Sequence, residues 1–304
     1  MRQEFYSNGK LLLLGEYTVL DGSDALALPT VYGQYLSVEK TNDKNIHWRS
    51  YDADGSVWFE AVIPVENILS KQLSGEKVTD TLIDILGAAH KLNPGVLGTA
   101  VGFNVETKLT FPRTWGLGSS STLINNIAQW FGVDAFNLLQ QSFGGSGYDI
   151  ACAQNNMPVL FSLKNGLPNI KQITFNPHFT NNLYFVYLNK KQDTKKAVAN
   201  YRNNADEIPE LIIKTDAIIE EAAITGSFER FCQLLEEHSA LLAKALQMQT
   251  VKESLFPDFY GTVKSLGAWG GDFILAASDD DPTGYFESKG YPVVIPYQKM
   301  ILYK

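Results

Sequence analysis

The chain has 304 residues, of which 45% are hydrophobic and 19% are charged, so it is long enough and apolar enough to form two globular domains. Its formal net charge of -8 argues against non-specific nucleic-acid binding, which requires a basic surface. The first ten residues are polar, and no run approaches the roughly 18 apolar residues of a membrane span. We therefore expect a cytoplasmic protein with no nucleic-acid or membrane partner.

Cysteines and histidines are few and scattered. Cys152 and Cys232 lie far apart in the sequence, which favours thiols in a reducing compartment. The four histidines belong to no motif, and no Cys/His cluster has the spacing of zinc ligands. A structural zinc site is therefore not expected.

The first part of the chain is predicted to be rich in strands. Thr79–Leu92 has helical spacing of its apolar residues. The N-terminal strands are expected to pair as an antiparallel sheet. The predicted strands are Lys10–Gly15, Val31–Lys40, Asn45–Ser50, Val57–Pro64 and Gly98–Leu109.

The later part is predicted to be richer in helices. An apolar helix is expected from about Thr122 to Phe131, after a glycine- and serine-rich loop. Strands first and helices later predict an α+β fold with two lobes, residues 1–163 and 164–304. The further predicted helices are Asp193–Tyr201, Glu207–Thr225 and Phe228–Leu246, and the further strands are Val159–Leu163, Leu183–Leu188, Phe273–Ala277 and Val293–Pro296.

The segment Pro112–Ser121, PRTWGLGSSS, is a candidate phosphate-binding loop. Backbone N–H groups beside glycines can approach a phosphate closely, and the following helix adds its positive N-terminal end. A simple capped turn has the same composition, so the segment alone leaves both interpretations open. It lacks the Gly-Lys-Ser/Thr ending of a Walker loop, and Ser121 stands where the dinucleotide-binding pattern needs its third glycine.

Three other segments carry groups suited to chemistry. Lys10 precedes a run of four leucines and is either a fixed positive charge in a cleft or an exposed edge lysine. Asp149 lies in the small and apolar run SGYDIA, where it is either a catalytic carboxylate or a helix cap. Lys264–Ala277, KSLGAWGGDFILAA, has three glycines before an apolar strand, which fits either a ligand-binding turn or a plain hairpin.

Together these segments resemble the motifs of the GHMP kinases, the group of galactokinase, homoserine kinase, mevalonate kinase and phosphomevalonate kinase. Lys10–Pro29 resembles the first family motif, Pro112–Thr122 the second and Lys264–Ala277 the third, in the family's order and at its spacing. Gly145–Ala151 and Gly270–Asp272 look most similar to the corresponding segments of phosphomevalonate kinases.

The resemblance implies a ribosomal protein S5 domain 2-like N-terminal lobe and a ferredoxin-like C-terminal lobe. It implies an ATP- and Mg²⁺-dependent enzyme, monomeric or homodimeric, that phosphorylates a small molecule of the mevalonate pathway, phosphomevalonate ahead of mevalonate. Asp149 would orient or deprotonate the acceptor hydroxyl, Lys10 would lie near that hydroxyl, and Ser120 would contact Mg²⁺ or the β-phosphate. The implied nucleotide contacts are Gly116, Leu117, Gly118, Ser119, Ser120 and Ser121, and the implied substrate contacts are Glu16, Ser146, Gly147, Lys195, Gly270 and Gly271.

Three positions depart from the family pattern. Tyr17 follows the Gly-Glu of the first motif, where mevalonate kinases usually have histidine. Leu138 stands at the spacing where many relatives carry a metal-binding glutamate. Trp269 replaces a usual small residue in the third motif. Metal binding would then depend on serine hydroxyls, ATP and water, or on Asp149.

A basic segment offers a site for an anionic acceptor. Asn189–Lys196 reads NKKQDTKK, and its lysines either meet a carboxylate or phosphate or form a solvated turn. Arg113, beside the glycine-serine loop, is a second candidate for the same role.

Two alternative functions remain open at this stage. A decarboxylase that acts on diphosphomevalonate would share the fold, but the sequence identifies no arginine for the substrate carboxylate. A catalytically silent ligand-binding protein would explain the missing glutamate near Leu138. The presence of Lys10, Asp149 and the serine-rich loop together favours the kinase.

Overall fold

The computed structural model describes residues 2–97, 101–190, 199, 201–203, 207–267 and 269–303. The chain forms two compact units that interleave along the sequence. The first unit comprises 1–9, 32–113 and 117–154, and the second comprises 10–31, 114–116 and 155–304. The predicted lobe boundary at residue 163 stays a prediction.

The strands follow the predicted order closely. They are β1 Arg2–Leu14, β2 Ala25–Thr41, β3 Asn45–Tyr51, β4 Val57–Pro64, β5 Gly102–Leu109, β6 Val159–Lys164, β7 Leu167–Gln172, β8 Leu183–Tyr187, β9 Thr262–Ser265, β10 Phe273–Ala277 and β11 Val294–Pro296.

The helices include four of the predicted ones and several short additions, whereas the predicted helix Asp193–Tyr201 lies almost wholly outside the described residues. They are α1 Val65–Ser70, α2 Lys77–Leu92, α3 Ser119–Phe131, α4 Ala135–Ser142, α5 Tyr148–Gln154, α6 Ile208–Ile224, α7 Phe228–Leu246, α8 Val251–Leu255, α9 Thr283–Ser288 and α10 Tyr297–Met300. Among the described residues, no helix is long and apolar enough to cross a membrane.

The sheet of the first unit is mixed, whereas the sequence predicted an antiparallel one. Its strand order is β4-β3-β5-β2. β3 pairs antiparallel with β4, and β5 pairs antiparallel with β2, but β3 and β5 run parallel. Parallel neighbours need a long crossover, which β4, α1 and α2 supply between these two strands.

The core of the first unit lies between this sheet and helices α2, α3 and α4. The predicted apolar face of α2 is buried, as the exposures of Leu82, Ile83 and Leu86, all 3% or less, show. Trp130 packs edge-on against Phe103 of β5, with ring centroids 5.2 Å apart. Burial of a large apolar side chain contributes about 1.5–3 kcal/mol, so this layer fixes α3 on the sheet.

The second unit contains an antiparallel sheet in the order β11-β8-β10-β9. The strand β10 is wholly buried and pairs with both β8 and β9, so its residues are enclosed on each side. The residues 25–27 of β2 pair with β6, which pairs with β7. Helix α7 begins after the cap Ser227, whose side chain accepts the Arg230 N–H, and its bounds match the predicted helix.

Candidate active site

The glycine-serine loop leads directly into helix α3. The helix begins at Ser119, three residues before the predicted start, so the three serines form its first turn rather than the loop. Gly118 is the N-cap residue and has a φ of 89°, a conformation that favours glycine. The first turn contains no acidic side chain and no side-chain cap, so its partial positive charge suits an anion.

The hydroxyl groups of this turn differ in their surroundings. Ser121 Oγ donates to Gly118 O at 2.8 Å, and Thr122 Oγ1 donates to Gln34 Oε1 at 2.8 Å. Ser120 is exposed, whereas Ser121 and Thr122 are buried. Ser121 and Thr122 therefore stabilise the turn, while the Ser120 side chain faces solvent. Leu117, between the two glycines, is fully buried and contributes its side chain to packing.

Gly116 lies against the third motif. Its φ is 67°, and a Cβ added there would overlap the carboxylate of Asp272. Asp272 itself has a φ of 50°. Its backbone N–H donates to Lys190 O at 2.9 Å, and its carbonyl accepts the Leu188 N–H at 2.8 Å. A turn held by these bonds thus presents the Asp272 side chain to the loop backbone.

The first motif ends in a buried ion pair that the sequence did not indicate. Glu16 is 3% exposed, and its Oε1 accepts from Lys264 Nζ at 2.5 Å. Lys264 is fully buried in β9 and also donates to Ser265 O at 2.6 Å. Burial raises the pKa of Glu16 and lowers the pKa of Lys264, and each charge partly offsets the shift of the other. Glu16, predicted to contact substrate, is therefore directed at Lys264 inside the second unit.

His238 completes this buried cluster. Its Nε2 accepts the Gly15 N–H at 3.2 Å and lies 3.7 Å from Glu16 Oε2. Burial, together with the charge of Lys264, holds the pKa of His238 well below its usual value of 6.5. The imidazole is therefore neutral, and an unprotonated Nε2 is the state that can accept the Gly15 bond.

The third glycine turn, named the 267–272 turn, connects β9 to β10, and its residue 268 lies outside the described residues. Two of its backbone N–H groups bond to protein side chains: Trp269 N donates to Tyr17 Oη at 3.1 Å, and Gly270 N donates to Ser265 Oγ at 3.0 Å. Gly270 has a φ of 74°. These two amides are directed into the second unit, which fits a supporting turn better than an anion-binding nest at these positions. Gly271 is buried beside them.

The segment around Asp149 is shaped by glycines. Gly145 and Gly147 have φ values of 104° and 95°, and a Cβ on Gly147 would lie 3.0 Å from the Phe136 ring. Ser146 between them is 7% exposed. Asp149 lies in the first turn of α5, is partly exposed, and its Oδ1 accepts the Ile150 N–H at 3.1 Å. It is inside the helix rather than at its cap, and its carboxylate retains accessible surface.

The position of the missing glutamate is a core position here. Leu138, on α4, is fully buried in the hydrophobic cluster of the first unit. Across the described residues, no group of three or more His, Cys, Asp or Glu is arranged to hold a metal ion. Mg²⁺ commonly takes only one or two protein ligands in addition to substrate phosphates and water, so the exposed Ser120 hydroxyl and a partly exposed carboxylate fit that chemistry.

The two predicted basic candidates have different outcomes. Lys195 lies outside the described residues, as do Lys191 and Lys196. Arg113 is exposed, lies 5.1 Å over the Trp58 ring and approaches Asp52 at 3.8 Å. Arg113 is thus already partnered within the first unit.

The predicted site residues are distributed over both units. Lys10, half-buried in β1, shares the second unit with Glu16, Gly116 and the 267–272 turn. The residues 117–121, 146, 147 and 149 belong to the first unit. Sequence reasoning missed Lys264 and His238. The available signal for Lys264 was its place at the start of the third motif, whereas His238 lies in an ordinary amphipathic helix.

Comparison with known proteins gives fold relatives only. No protein-family model and no curated protein matches the chain. Among solved structures, the Methanococcus jannaschii mevalonate kinase is 16% identical and has a TM-score of 0.73, with 100% of this chain and 99% of that chain covered. Streptococcus pneumoniae phosphomevalonate kinase, in complex with phosphomevalonate and AMPPNP, is 18% identical with a TM-score of 0.67, and 99% and 98% are covered.

A sugar kinase also matches over nearly its whole length. Lactococcus lactis galactokinase complexed with galactose is 16% identical with a TM-score of 0.64, and 97% of this chain and 94% of that chain are covered. All three structures match along nearly their whole length, which confirms the fold predicted from the motifs. The chain has the α+β fold of the GHMP kinases.

Proposed function

We propose that this chain is an ATP- and Mg²⁺-dependent kinase that transfers the γ-phosphoryl group to a mevalonate-pathway intermediate, phosphomevalonate ahead of mevalonate. The observation that supports it best is the glycine-serine loop at the start of α3, in a chain whose fold matches a phosphomevalonate kinase complexed with phosphomevalonate and AMPPNP. The segments Gly145–Ala151 and Gly270–Asp272 favour phosphomevalonate over mevalonate.

The nucleotide would be bound by the loop and the first turn of α3. The N–H groups of Gly116–Ser121 would face the phosphates, and the helix end would contribute its partial positive charge. Ser120 supplies an exposed hydroxyl for Mg²⁺ or the β-phosphate. When bound, Mg²⁺ neutralises charge on the β- and γ-phosphate oxygens.

Asp149 and Lys10 would act on the acceptor. With an alcohol as acceptor, the Asp149 carboxylate would take the hydroxyl proton as the new P–O bond forms and the bond to the ADP oxygen breaks. If the acceptor is a phosphate monoester, its second pKa is about 6 and it is already largely ionised at neutral pH. Asp149 would then orient this acceptor rather than deprotonate it. Lys10 would stabilise the negative charge on the reacting oxygens.

The acceptor would be held by the glycine-rich segments. Ser146 and Gly147 precede Asp149 on the same stretch of chain. Substrate contacts at these two residues would therefore orient the acceptor oxygen on which Asp149 acts. Gly271 and Lys195 are further proposed contacts. Glu16 accepts a hydrogen bond from Lys264, and the Gly270 N–H donates to Ser265. We therefore propose that Glu16 and Gly270 support the site without touching the substrate.

The test is a coupled ADP-release screen with ATP-Mg²⁺ against phosphomevalonate, mevalonate, homoserine and galactose. The proposal predicts turnover with phosphomevalonate that exceeds turnover with the other three. Turnover with a sugar alone would reject the mevalonate-pathway assignment. Release of CO₂ from diphosphomevalonate would identify a decarboxylase, and nucleotide binding without any turnover would identify a silent binding protein.

A further inference from the structure

Three consecutive residues of the first motif contact the third motif or its supporting helix. The Gly15 N–H donates to His238, Glu16 accepts from Lys264, and the Tyr17 phenol oxygen accepts the Trp269 N–H. Each of these bonds joins residues more than 200 positions apart in sequence, and all lie inside the second unit.

Tyr17 is held in an unusual backbone conformation. Its φ of 65° and ψ of -50° lie outside the regions that non-glycine residues prefer. Such a conformation is strained for a non-glycine residue and persists only where the surroundings enforce it. The side chain is 7% exposed and belongs to an apolar cluster with Tyr201 and Trp269. The strained conformation directs the phenol group toward the turn.

The 267–272 turn connects the residues that make these contacts to Gly116 of the glycine-serine loop. Lys264 bonds to Ser265 O, and Ser265 Oγ accepts the Gly270 N–H, so the ion pair and the turn share one hydrogen-bonded network. At its end, the turn presents Asp272 against Gly116. A displacement of the turn would therefore move the group that packs on the loop backbone.

We propose that Tyr17 and Glu16 are positioning residues that fix the 267–272 turn and, through Asp272, the backbone at Gly116. This role deepens the proposed kinase function and rests on it for its effect on nucleotide binding. The same contacts couple two of the departures from the family pattern, since the phenol of Tyr17 accepts the backbone N–H of Trp269. The Trp269 indole Nε1 donates in turn to Gln249 O at 2.9 Å, which fixes the bulky side chain within the second unit.

The test compares Tyr17→Phe with Tyr201→Phe. Both changes remove one phenol hydroxyl from the same aromatic cluster, in which the two rings lie 6.0 Å apart. The Tyr201 hydroxyl donates to Asp21 instead of contacting the turn. Tyr17→Phe leaves the buried Trp269 N–H without this acceptor, and the loss of an acceptor from a buried donor is destabilising. Full-length proteins are compared by amide hydrogen exchange and by calorimetric titration with AMPPNP-Mg²⁺.

We expect Tyr17→Phe to accelerate exchange about ten-fold in peptides covering 266–273 and 112–118, and to weaken AMPPNP binding about five-fold. Tyr201→Phe should change neither quantity. Equal effects of both variants, or acceleration confined to 266–273, would overturn the positioning role. If the wild-type protein binds no AMPPNP, the proposed function fails, and exchange in 112–118 alone then decides whether Tyr17 positions the loop.

Discussion

The carboxylate of Asp272 fills the space that a side chain on Gly116 would require. Gly116 belongs to the second motif and Asp272 to the third, so the glycine is needed because another motif packs against it. Its φ of 67° adds a second reason for glycine. The second and third motifs therefore pack directly against each other at this point.

Gly116→Ala should destabilise the protein more than the same change at Gly132. Gly132 has a φ of 64°, and apart from its own chain neighbours no described atom lies within 4 Å of a Cβ placed there, so Gly132→Ala reports the backbone strain alone. That strain is about 1–2 kcal/mol, and the overlap with Asp272 adds to it at Gly116. Urea unfolding of both variants measures the difference.

A double-mutant cycle isolates the contact with Asp272. Asp272→Gly removes the side chain that a Cβ at Gly116 would meet, and glycine suits the φ of 50° at this position. We expect the second change to recover about 0.5–3 kcal/mol in the Gly116→Ala background. Strictly additive unfolding free energies would show that the two residues do not act on each other.

Asp149→Asn should lower kcat by about 10²- to 10⁴-fold with an alcohol acceptor, because the amide cannot take up the hydroxyl proton. With phosphomevalonate the loss should be smaller, since no proton has to leave a phosphate that is already ionised. AMPPNP affinity should stay within about two-fold of wild type.

The matched control is Asp84→Asn, which removes an exposed carboxylate of the first unit that pairs only at the surface with Lys71. Turnover of Asp149→Asn at the wild-type level would remove Asp149 from the catalytic step. An equal loss in Asp84→Asn would point to a general charge effect instead.

Ser120→Ala and Ser121→Ala separate ligand contact from loop stability. Ser120 is exposed, so its loss should leave the unfolding free energy unchanged within about 0.5 kcal/mol while it weakens ATP-Mg²⁺ binding. Ser121 Oγ bonds to Gly118 O, so its loss should cost about 0.5–1.5 kcal/mol of stability. Calorimetric titration and urea unfolding provide the two quantities. Unchanged binding in Ser120→Ala would exclude the proposed contact.

Acid should destabilise the protein partly through His238. Burial holds its folded pKa well below 6.5, so below pH 6.5 the unfolded chain takes up a proton that the folded chain does not. This contribution to the free energy of unfolding is intact above pH 6.5 and decreases as the pH falls, with a slope that approaches about 1.4 kcal/mol per pH unit. Glu16 has a raised pKa in the folded state, so it changes the pH dependence of the free energy of unfolding in the opposite sense to His238. Lys264 lies next to both Glu16 and His238.

The diagnostic quantity is therefore the difference between wild type and His238→Gln, whose amide oxygen can still accept the Gly15 N–H. Unfolding measured from pH 7.5 to 5.5 should show a shallower acid slope in His238→Gln. His178→Gln, at an exposed position, should keep the wild-type slope. The same slope in wild type and His238→Gln would rule out this role of His238.

The sequence predicts the elements that have strong local patterns. Phe228–Leu246 has regular amphipathic spacing between Gly226 and a left-handed cap at Gln247, and its predicted bounds are those observed. The helix α4, Ala135–Ser142, and the strand β7, Leu167–Gln172, were not predicted. β7 is exposed throughout and has no apolar alternation, so its pairing with β6 depends on tertiary structure.

The candidate site is predictable only in part, for a related reason. Motifs reveal the glycines and Asp149 because their spacing is local. The pairing of Glu16 with Lys264 joins residues 248 positions apart, and the bond from Trp269 to Tyr17 joins residues 252 positions apart. No local pattern encodes such contacts, so sequence reasoning took Glu16 for a substrate ligand and Tyr17 for a simple departure from the family.

Steady-state ADP release with phosphomevalonate as acceptor tests the central claim most directly. The account predicts ATP-Mg²⁺-dependent turnover with one ADP formed per phosphomevalonate consumed, and loss of AMPPNP-Mg²⁺ binding when Gly118, the N-cap of α3, is replaced by valine. An ADP-release rate that is the same with and without each acceptor would contradict this account. AMPPNP-Mg²⁺ binding at the wild-type level in Gly118→Val would also contradict it.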